Sequence, residues 1–280
     1  MNRLQSIRFW ALAAAFVCSC CAVSAQQSFY ERLRSNNASM AAVQPTWMGP
    51  LIQSDGRLGQ SVRFSVSNAN FGGTRTLNYG NGKGIAMIVD RRFQIDLDPP
   101  SYFKNHSSTK EDGFGNVGTQ VKYRITSGNA QHGNYAVSAV LYHAFEPRVY
   151  QNLMLTSFYV PSIAAGKAFG RIAVLQNLGG FLPTGKIAQQ GRAIEWSSTA
   201  QMHVTKYSWV DVEDNATFFH AGPFDGKTQN FVTPAAFYMI RRKEWKPEHA
   251  SVVFATGMQI ATSNFHYYNH NLVTEMRLIF

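Results

Sequence analysis

The sequence has 280 residues, a formal net charge of +10 and aromatic side chains at 13% of its positions. Its three cysteines are Cys18, Cys20 and Cys21, so the rest of the chain excludes disulfides, thiolate metal ligands and a cysteine nucleophile. The positive charge is spread along the chain without a basic block, so it says little about a polyanionic partner. The length suits one large all-β domain or two smaller ones.

The first 25 residues have the three parts of a secretory signal peptide. Arg3 and Arg8 precede an apolar run at 9–18, and Val-Ser-Ala at 23–25 is a small-residue cleavage site. The apolar run is shorter than the roughly 20 residues that a membrane-spanning helix needs. We therefore predict export with cleavage after Ala25, which makes nucleic acid an unexpected partner. A lipoprotein is the alternative suggested by the cysteine cluster, although the residues before each cysteine fit a lipidation site poorly.

Residues 26–58 are polar and irregular, with Pro45, Gly49 and Pro50 in their second half. A short helix is predicted at 28–40. We interpret this segment as a periplasmic leader or as a mouth segment that folds back into the domain that follows. A disordered tail is the alternative.

The remaining residues, 59–280, contain runs in which apolar and polar residues alternate, the pattern of a half-buried strand. In the eighth run, for example, Ile194 and Trp196 oppose Glu195 and Ser197. The twelve predicted strands lie at 59–68, 76–89, 92–97, 116–126, 135–145, 157–167, 171–181, 193–205, 209–219, 231–241, 251–262 and 271–280. An even number brings both ends of a bacterial barrel to one side of the membrane.

The last predicted strand carries the most specific pattern. Leu272, Met276, Leu278 and Phe280 share one face of it. A period-2 strand that ends on a phenylalanine resembles the assembly signal of outer-membrane β-barrels, which face lipid on one side and a polar lumen on the other. The predicted fold is therefore an all-β, antiparallel transmembrane β-barrel of about 12 strands, of the outer-membrane type. A soluble β-sandwich is the alternative, distinguished by apolar faces that are hidden together.

Three residues conflict with the predicted strands. Pro161 and Pro234 fall inside them, although a closed barrel has no edge strand on which a proline is easily placed. Asp214 falls on the apolar phase of the ninth strand. These positions predict strand starts, bulges or errors in the strand boundaries.

The polar phase of the predicted strands defines a candidate lumen. Its charged and titratable residues are Arg63, Asp96, Lys122, Arg124, Glu195, His203, Asp211, Glu213, Glu275 and Arg277, accompanied by Gln94, Gln120 and Gln201. An arginine or lysine that faces lipid at the bilayer midplane costs about 2–4 kcal/mol, so their grouping on one phase favours a wet interior. Two arrangements remain open: opposed basic and acidic walls that select solutes, or a salt-bridge network that plugs a narrow barrel.

The sequence contains no pattern that is typical of a metal site, a cofactor site or an active site. His266 and His270 are four residues apart, but they lie in a predicted loop, where this spacing does not bring two ligands together. No nucleophile elbow is present. We predict neither a metal nor a cofactor, and we do not expect an enzyme.

Several short stretches resemble one family. They are Asn-Tyr-Gly-Asn-Gly-Lys-Gly at 78–84, Asp-Gly-Phe-Gly-Asn at 112–116, Val-Lys-Tyr-Arg at 121–124, Phe-Leu-Pro-Thr-Gly at 181–185, Ala-Thr-Phe-Phe-His at 216–220 and Gly-Met-Gln-Ile-Ala-Thr at 257–262. From about residue 60 onward the chain resembles the bacterial outer-membrane channel family named after the MetA pathway of phenol degradation. None of that family's functional residues is carried over.

The resemblance implies an outer-membrane channel for passive uptake or efflux of small solutes, with aromatic compounds as one implied class. The implied partners are outer-membrane lipids, the barrel-assembly machinery and small solutes. Two other functions stay open: a secreted or periplasmic soluble β-sandwich that binds a ligand, and a non-conducting structural or receptor barrel. The sequence does not determine the oligomeric state.

Overall fold

The computed structural model describes residues 29–107, 110–146, 156–240 and 250–280. The chain divides into two compact units, Met1–Ser35 and Asn36–Phe280. Of the first unit only the beginning of helix α1 (Phe29–Ala41) is described, so the predicted signal peptide, residues 1–25, lies outside the described residues. The described ranges contain two α-helices, α1 and the four-residue α2 (Ile187–Gln190). Neither is long and apolar enough to span a membrane.

The second unit is built from one antiparallel sheet. Its strands are β1 (Ser61–Phe71), β2 (Thr74–Gly80), β3 (Ile85–Asp90), β4 (Phe93–Asp98), β5 (Tyr102–His106), β6 (Gly113–Phe114), β7 (Val117–Gly128), β8 (Tyr135–Phe145), β9 (Phe158–Phe169), β10 (Ile172–Pro183), β11 (Arg192–Thr205), β12 (Ser208–Ala221), β13 (Thr228–Ile240), β14 (Ser251–Ala261) and β15 (His270–Ile279). A single turn of 3₁₀ helix, Gly222–Phe224, follows β12.

The sheet closes on itself because its first and last strands pair. Ser61 lies opposite Ile279 and Asn70 lies opposite His270, so β1 and β15 are in register along most of their length. The predicted all-β barrel of 12 strands is confirmed, with β2 and β3 forming one wall strand and β4 and β5 the next. The β-sandwich alternative is wrong, since a closed ring leaves no second sheet to pack against.

The backbone bends sharply between β2 and β3, inside the predicted second strand. Gly80, Asn81 and Gly82 have positive φ angles of 94°, 47° and 62°, a conformation that glycine and asparagine adopt most readily. The Gly82 N–H donates to the Ser101 hydroxyl at 2.8 Å, which holds the bend against the start of β5. The bend lets β2 pair with β5 while β3 pairs with β4.

Both prolines lie inside strands and not at strand starts. Pro161 lies in β9 and Pro234 in β13, and each falls in a gap of one of its two ladders. The β9–β10 ladder lacks pairs between Tyr159 and Ser162, and the β13–β14 ladder lacks them between Val232 and Ala235. A missing backbone N–H accounts for both gaps, because proline has no donor for that ladder.

The bulge or boundary error predicted at Asp214 is wrong. β12 keeps its register there, with Asp214 opposite Ser198 of β11 and Val232 of β13. The register shifts of the β11–β12 pair lie elsewhere, at Arg192/Ala193 and at His203/Thr205. Asp214 therefore lies on the outward face of the barrel.

The two faces of the barrel differ in the way the alternation predicts. Phe64 and Leu178 on the outward face are 50% and 57% exposed, whereas Glu213 and Arg277 on the inward face are 0% and 4% exposed. Large apolar side chains on the outward face include Val62, Phe64, Leu97, Val121, Leu141, Ile163, Leu178, Ile194, Val212, Tyr238, Phe254, Met276 and Leu278. Such a belt surrounding a polar interior is the arrangement of a barrel that spans a bilayer.

Candidate functional site: the barrel lumen

A segment between α1 and β1 occupies the lumen. We call residues 44–60 the inner strap. Its partners come from strands on all sides of the barrel: Gln94 of β4, Lys122 of β7, Ser138 of β8, Asn177 of β10, Gln201 of β11, Glu213 of β12 and Arg277 of β15. The strap includes the second half of the segment predicted as a leader or mouth segment, residues 26–58.

Glu213 is the main acceptor for the strap backbone. It accepts from the N–H groups of Leu51 at 2.5 Å, Ile52 at 3.1 Å and Gln53 at 3.2 Å. Three backbone donors therefore surround this fully buried carboxyl group, so its oxygens keep hydrogen-bond partners in place of water. Asp211, two residues earlier on the same face, accepts from Gln201 Nε2 at 3.2 Å.

Gln201 binds the strap as a neighbouring strand would. Its Oε1 accepts from Met48 N at 2.7 Å and its Nε2 donates to Met48 O at 3.0 Å. Thr199 lies two residues earlier on the same face of β11, and its Oγ1 accepts from the Gln53 side-chain amide. The inward face of β11 therefore satisfies backbone groups of the strap that water would otherwise bind.

Arg277 and Arg63 share one carboxylate. Arg63 donates from Nε and Nη2 to the two oxygens of Glu275, at 3.0 and 2.9 Å, and Arg277 Nε donates to the same carboxylate. The other guanidinium nitrogens of Arg277 donate to the carbonyls of Gly49, at 2.5 Å, and Pro50, at 2.8 Å. The last strand is thus bonded to the first strand and to the strap through one cluster of charges.

A second charged cluster joins the far end of the strap to β7. Arg57 Nη2 lies 2.9 Å from Asp55 Oδ2, while Lys122 Nζ lies 3.9 Å from Asp55 Oδ1 and donates to Arg57 O at 3.0 Å. Burial alone would raise the pKa of Asp55, but the charges of Arg57 and Lys122 outweigh it and lower that pKa to about 2. Asp55 therefore stays ionised at neutral pH.

Apolar contacts complete the fit of the strap. Leu51 is fully buried in a cluster that includes Met48, Trp209, Phe237 and Val253. At Gly56 the backbone comes so close to the wall that an added Cβ would lie 2.7 Å from Ala136 O and 2.8 Å from Ala164 O. The strap fits closely against the wall here, and a side chain at this position would displace it.

The lumen beside the strap keeps a cavity of about 370 Å³. Its wall carries charges of both signs, among them Arg63, Lys83, Asp96, Asp98 and Lys122. Asp96 accepts from Gln94 Nε2 at 2.7 Å and from Gln120 Nε2 at 2.6 Å, and Gln120 in turn accepts from the Ser54 hydroxyl at 3.0 Å. The cavity is therefore lined by a mixed polar network.

Three of the candidate lumen residues lie apart from the strap. Arg124 and His203 share the inward phase near the short turns, and among the described residues Arg124 Nη1 and His203 Nε2 have no hydrogen-bond partner. His203 stacks on Trp209, with ring centroids 4.6 Å apart. Glu195 lies in the other half of the lumen, opposite Gly179 and Thr217.

The other seven candidates, Arg63, Asp96, Lys122, Asp211, Glu213, Glu275 and Arg277, lie around the strap or its cavity. They are interleaved in networks and do not form opposed basic and acidic walls. Their role in solute selectivity stays a prediction. So does the assembly role of Phe280, whose carbonyl oxygen accepts from Asn37 Nδ2 at 2.5 Å and from Gln60 Nε2 at 3.3 Å.

The half of the lumen beyond the strap, towards the long loops, is lined by aromatic rings that are not among the predicted lumen residues. Phe158 lies 6.1 Å from Tyr142 and 4.8 Å from Phe181 between ring centroids, on β8 to β10. On the other side Phe231 stacks on Tyr268 at 4.4 Å. For Phe181 and Phe231 a signal was available, because they share a strand phase with Asn177 and Thr233.

Metal binding finds no support in the described ranges, in which no group of three or more His, Asp or Glu side chains is arranged to hold an ion. The chemistry of the lumen is that of hydrogen bonding, charge pairing and ring contact.

Two solved structures were compared with the fold of this chain. The NanC porin has a TM-score of 0.51 at 8% sequence identity, over 79% of this chain and 98% of the porin chain. An outer-membrane channel from Pseudomonas putida F1 has a TM-score of 0.48 at 12% identity, over 84% of this chain and 100% of that one. The sequence matches no protein-family model and no curated protein.

At 8% identity the likeness to the porin concerns the fold alone, and it agrees with the predicted porin-like barrel. The narrower resemblance to the family of the phenol-degradation pathway stays a prediction.

Proposed function

We propose that this protein is a bacterial outer-membrane channel for small solutes, in which the inner strap restricts passage. The observation that carries the proposal is the difference in polarity between the outward and inward faces of one closed barrel. Apolar side chains such as Phe64 and Leu178 point outward, and polar side chains such as Glu213 and Arg277 point inward. A barrel of this kind satisfies all its backbone groups in lipid and keeps its charges in a wet interior.

The lumen supports a two-part path for solutes. Its half beyond the strap offers rings at Tyr142, Phe158 and Phe181, which suit flat apolar or aromatic compounds. The half with the strap leaves a cavity of about 370 Å³ with charges of both signs. A solute that crosses the barrel passes from aromatic contacts to polar ones, which favours small compounds that have both an apolar and a polar part.

Passage depends on the position of the strap. Its backbone is bonded to Gln201, Glu213 and Arg277, so an open path requires that some of these contacts break or that the solute fits the remaining cavity. Such a path is passive and requires neither a catalytic residue nor a cofactor.

Two measurements test this proposal in sequence. Protein extracted from outer membranes is run on a gel without and with boiling, and a change in mobility on boiling is expected for a closed barrel that resists detergent. Purified protein is then placed in a planar bilayer, where discrete conductance steps are expected. Soluble periplasmic protein without a mobility change would exclude the barrel channel.

The number of contacts between strap and wall also favours a second function, that of a non-conducting barrel that acts as an anchor or receptor. The same bilayer recording separates the two functions. A protein that shows the mobility change but no conductance, over a range of voltages and salt concentrations, would be such a barrel.

A further inference from the structure

The outward face carries a polar stripe at a depth where the apolar belt should be continuous. Gln176 of β10, Ser198 of β11 and Asp214 of β12 lie directly opposite one another on adjacent strands. Asn230 of β13 continues the stripe on the diagonal, since it pairs with Ala216. Asp214 is near the middle of β12, so the stripe crosses the central part of the belt.

The stripe holds both donors and acceptors that lack partners. Gln176 Oε1 accepts from Trp196 Nε1 and from the Ser198 hydroxyl, each at 2.8 Å, but among the described residues its amide nitrogen donates to nothing. The Asp214 carboxylate has no hydrogen-bond partner within the described ranges, and its Oδ1 is buried, as is the unpaired Oδ1 of Asn230. Their own barrel therefore leaves these groups unsatisfied.

Hydrocarbon tails cannot satisfy them. Polar groups in lipid without a partner are strongly unfavourable, and carboxylates in membrane-spanning segments normally face an interior or a partner. An occupant with its own hydrogen-bonding groups explains the stripe better than lipid tails do.

A groove beside the stripe suits the approach of a second wall. It has a volume of about 740 Å³ and is lined by Ala200, Pro234 and Ala236, together with Met202 and Met258. Small residues allow two membrane-embedded surfaces to come close, and methionine side chains adapt to irregular gaps. The polar stripe and the groove share strands β11 and β12, so one partner is able to cover both.

We propose that a second copy of this chain docks on the face formed by β10 to β13, with the polar stripe at the centre of a two-fold contact. The stripe is self-complementary, because Ser198 lies between the unpaired amide of Gln176 and the unpaired carboxylate of Asp214. A two-fold axis near Ser198 brings the Gln176 amide of one copy to the side that carries the Asp214 carboxylate of the other. This inference rests on the outer-membrane placement proposed above.

Cysteine cross-linking tests the contact in native outer membranes, because the chain has no cysteine beyond Cys21. Ser198→Cys is expected to give a disulfide-linked species of twice the chain mass under mild oxidation. Val121→Cys is the matched control, since it is outward-facing and 41% exposed but lies four strands away on β7. The Val121→Cys protein is expected to stay monomeric. The unchanged chain is also expected to stay monomeric, and it reports any disulfide formed by the cysteines at positions 18, 20 and 21.

A second variant tests the polar stripe itself. Asp214→Val is expected to lower the dimer fraction of the detergent-solubilised protein at least several-fold, measured by native mass spectrometry, while the mobility change on boiling shows that the barrel is intact. Thr274→Val, on β15 and outside both the stripe and the groove, is expected to leave the dimer fraction unchanged. The inference is overturned if Ser198→Cys cross-links no better than Val121→Cys, if its adduct has a mass other than twice the chain, or if the protein is a monomer with bound lipid. If the unchanged protein shows no mobility change on boiling, the proposed outer-membrane channel is refuted instead.

Discussion

Arg277 donates from Nη1 to the carbonyl oxygen of Gly49 at 2.5 Å, which links the last strand of the barrel to the strap inside it. A Cβ at Gly49 would lie 3.2 Å from the same nitrogen, so a side chain there would shift the guanidinium by a few tenths of an ångström. The partner of Arg277, Glu275, is shared with Arg63 on the first strand. Strap position and closure of the barrel are therefore linked through one buried cluster.

Replacement Arg277→Met should loosen the strap. The substitution removes charged donors from two strap carbonyls and keeps the Arg63–Glu275 pair, so we expect a loss of about 2–4 kcal/mol in the free energy of unfolding. Conductance in a planar bilayer should rise. Arg75→Met is the control, because Arg75 is exposed and its side chain bonds Asn68 alone among the described residues, and it should change stability by less than about 0.5 kcal/mol. Equal stability of the two variants would contradict the assigned role of Arg277.

The barrel was predictable because every strand of its wall alternates between outward apolar residues and inward polar ones. In the strands around Glu195 and Arg277, apolar and polar residues alternate since one face meets lipid and the other does not. The position of Asp214 was not predictable from this rule. If the outward face were apolar throughout, a polar residue on the apolar phase would indicate a bulge. Here β12 keeps its register at Asp214, and the outward face is polar at that point.

The strap was the part of the site that periodicity could not reveal. Residues 44–60 have no repeating pattern, and their partners, such as Glu213 for Leu51, are far away in the sequence. A weaker signal was present, since Trp47, Met48 and Leu51 are large apolar residues in an otherwise polar segment. Such residues are usually buried, and the lumen is where the structure buries them.

The ion pair of Asp55 predicts how stability depends on pH. The pKa of Asp55 falls from an ordinary 3.8 to about 2 in the folded protein. At a pH above the pKa of the unfolded state, a carboxyl with a lowered pKa contributes its full stabilisation to the folded state. This stabilisation is lost as the pH falls towards the pKa of the folded state. At about 1.4 kcal/mol per pKa unit, the contribution is about 2 kcal/mol.

Asp55→Asn should therefore be less stable than the unchanged protein by about 2 kcal/mol between pH 5 and 7. The difference should shrink between pH 4 and pH 2, as the carboxyl is protonated in both states. Urea unfolding in lipid vesicles at a series of pH values measures it, and Asp225→Asn, in an exposed loop, controls for the substitution itself. A difference that stays constant down to pH 2 would show that the charge of Asp55 does not stabilise the fold.

The terminal ring of Phe280 should matter for assembly more than for stability. Only the backbone carbonyl of Phe280 bonds Asn37 and Gln60, so Phe280→Ala keeps both contacts. If the ring is part of the assembly signal, the amount of protein in the outer membrane should fall several-fold while refolded protein keeps its mobility change on boiling. Phe254→Ala removes an outward ring from β14, 48% exposed and outside the last strand, and should have little effect on the amount. Equal amounts for both variants would remove the assembly role.

A covalent bridge between strap and wall separates a moving strap from a fixed one. Ser54 Oγ lies 3.0 Å from Gln120 Oε1, so Ser54→Cys combined with Gln120→Cys places two thiols within reach of a short thiol-specific cross-linker. If the strap must leave the wall for solutes to pass, the bridged protein should lose its conductance steps. The two single-cysteine variants, treated with the same reagent, control for the modification itself and should still conduct. Conductance that survives bridging would mean that solutes use the cavity beside a stationary strap, and the size of the largest permeant solute would then report the width of that cavity.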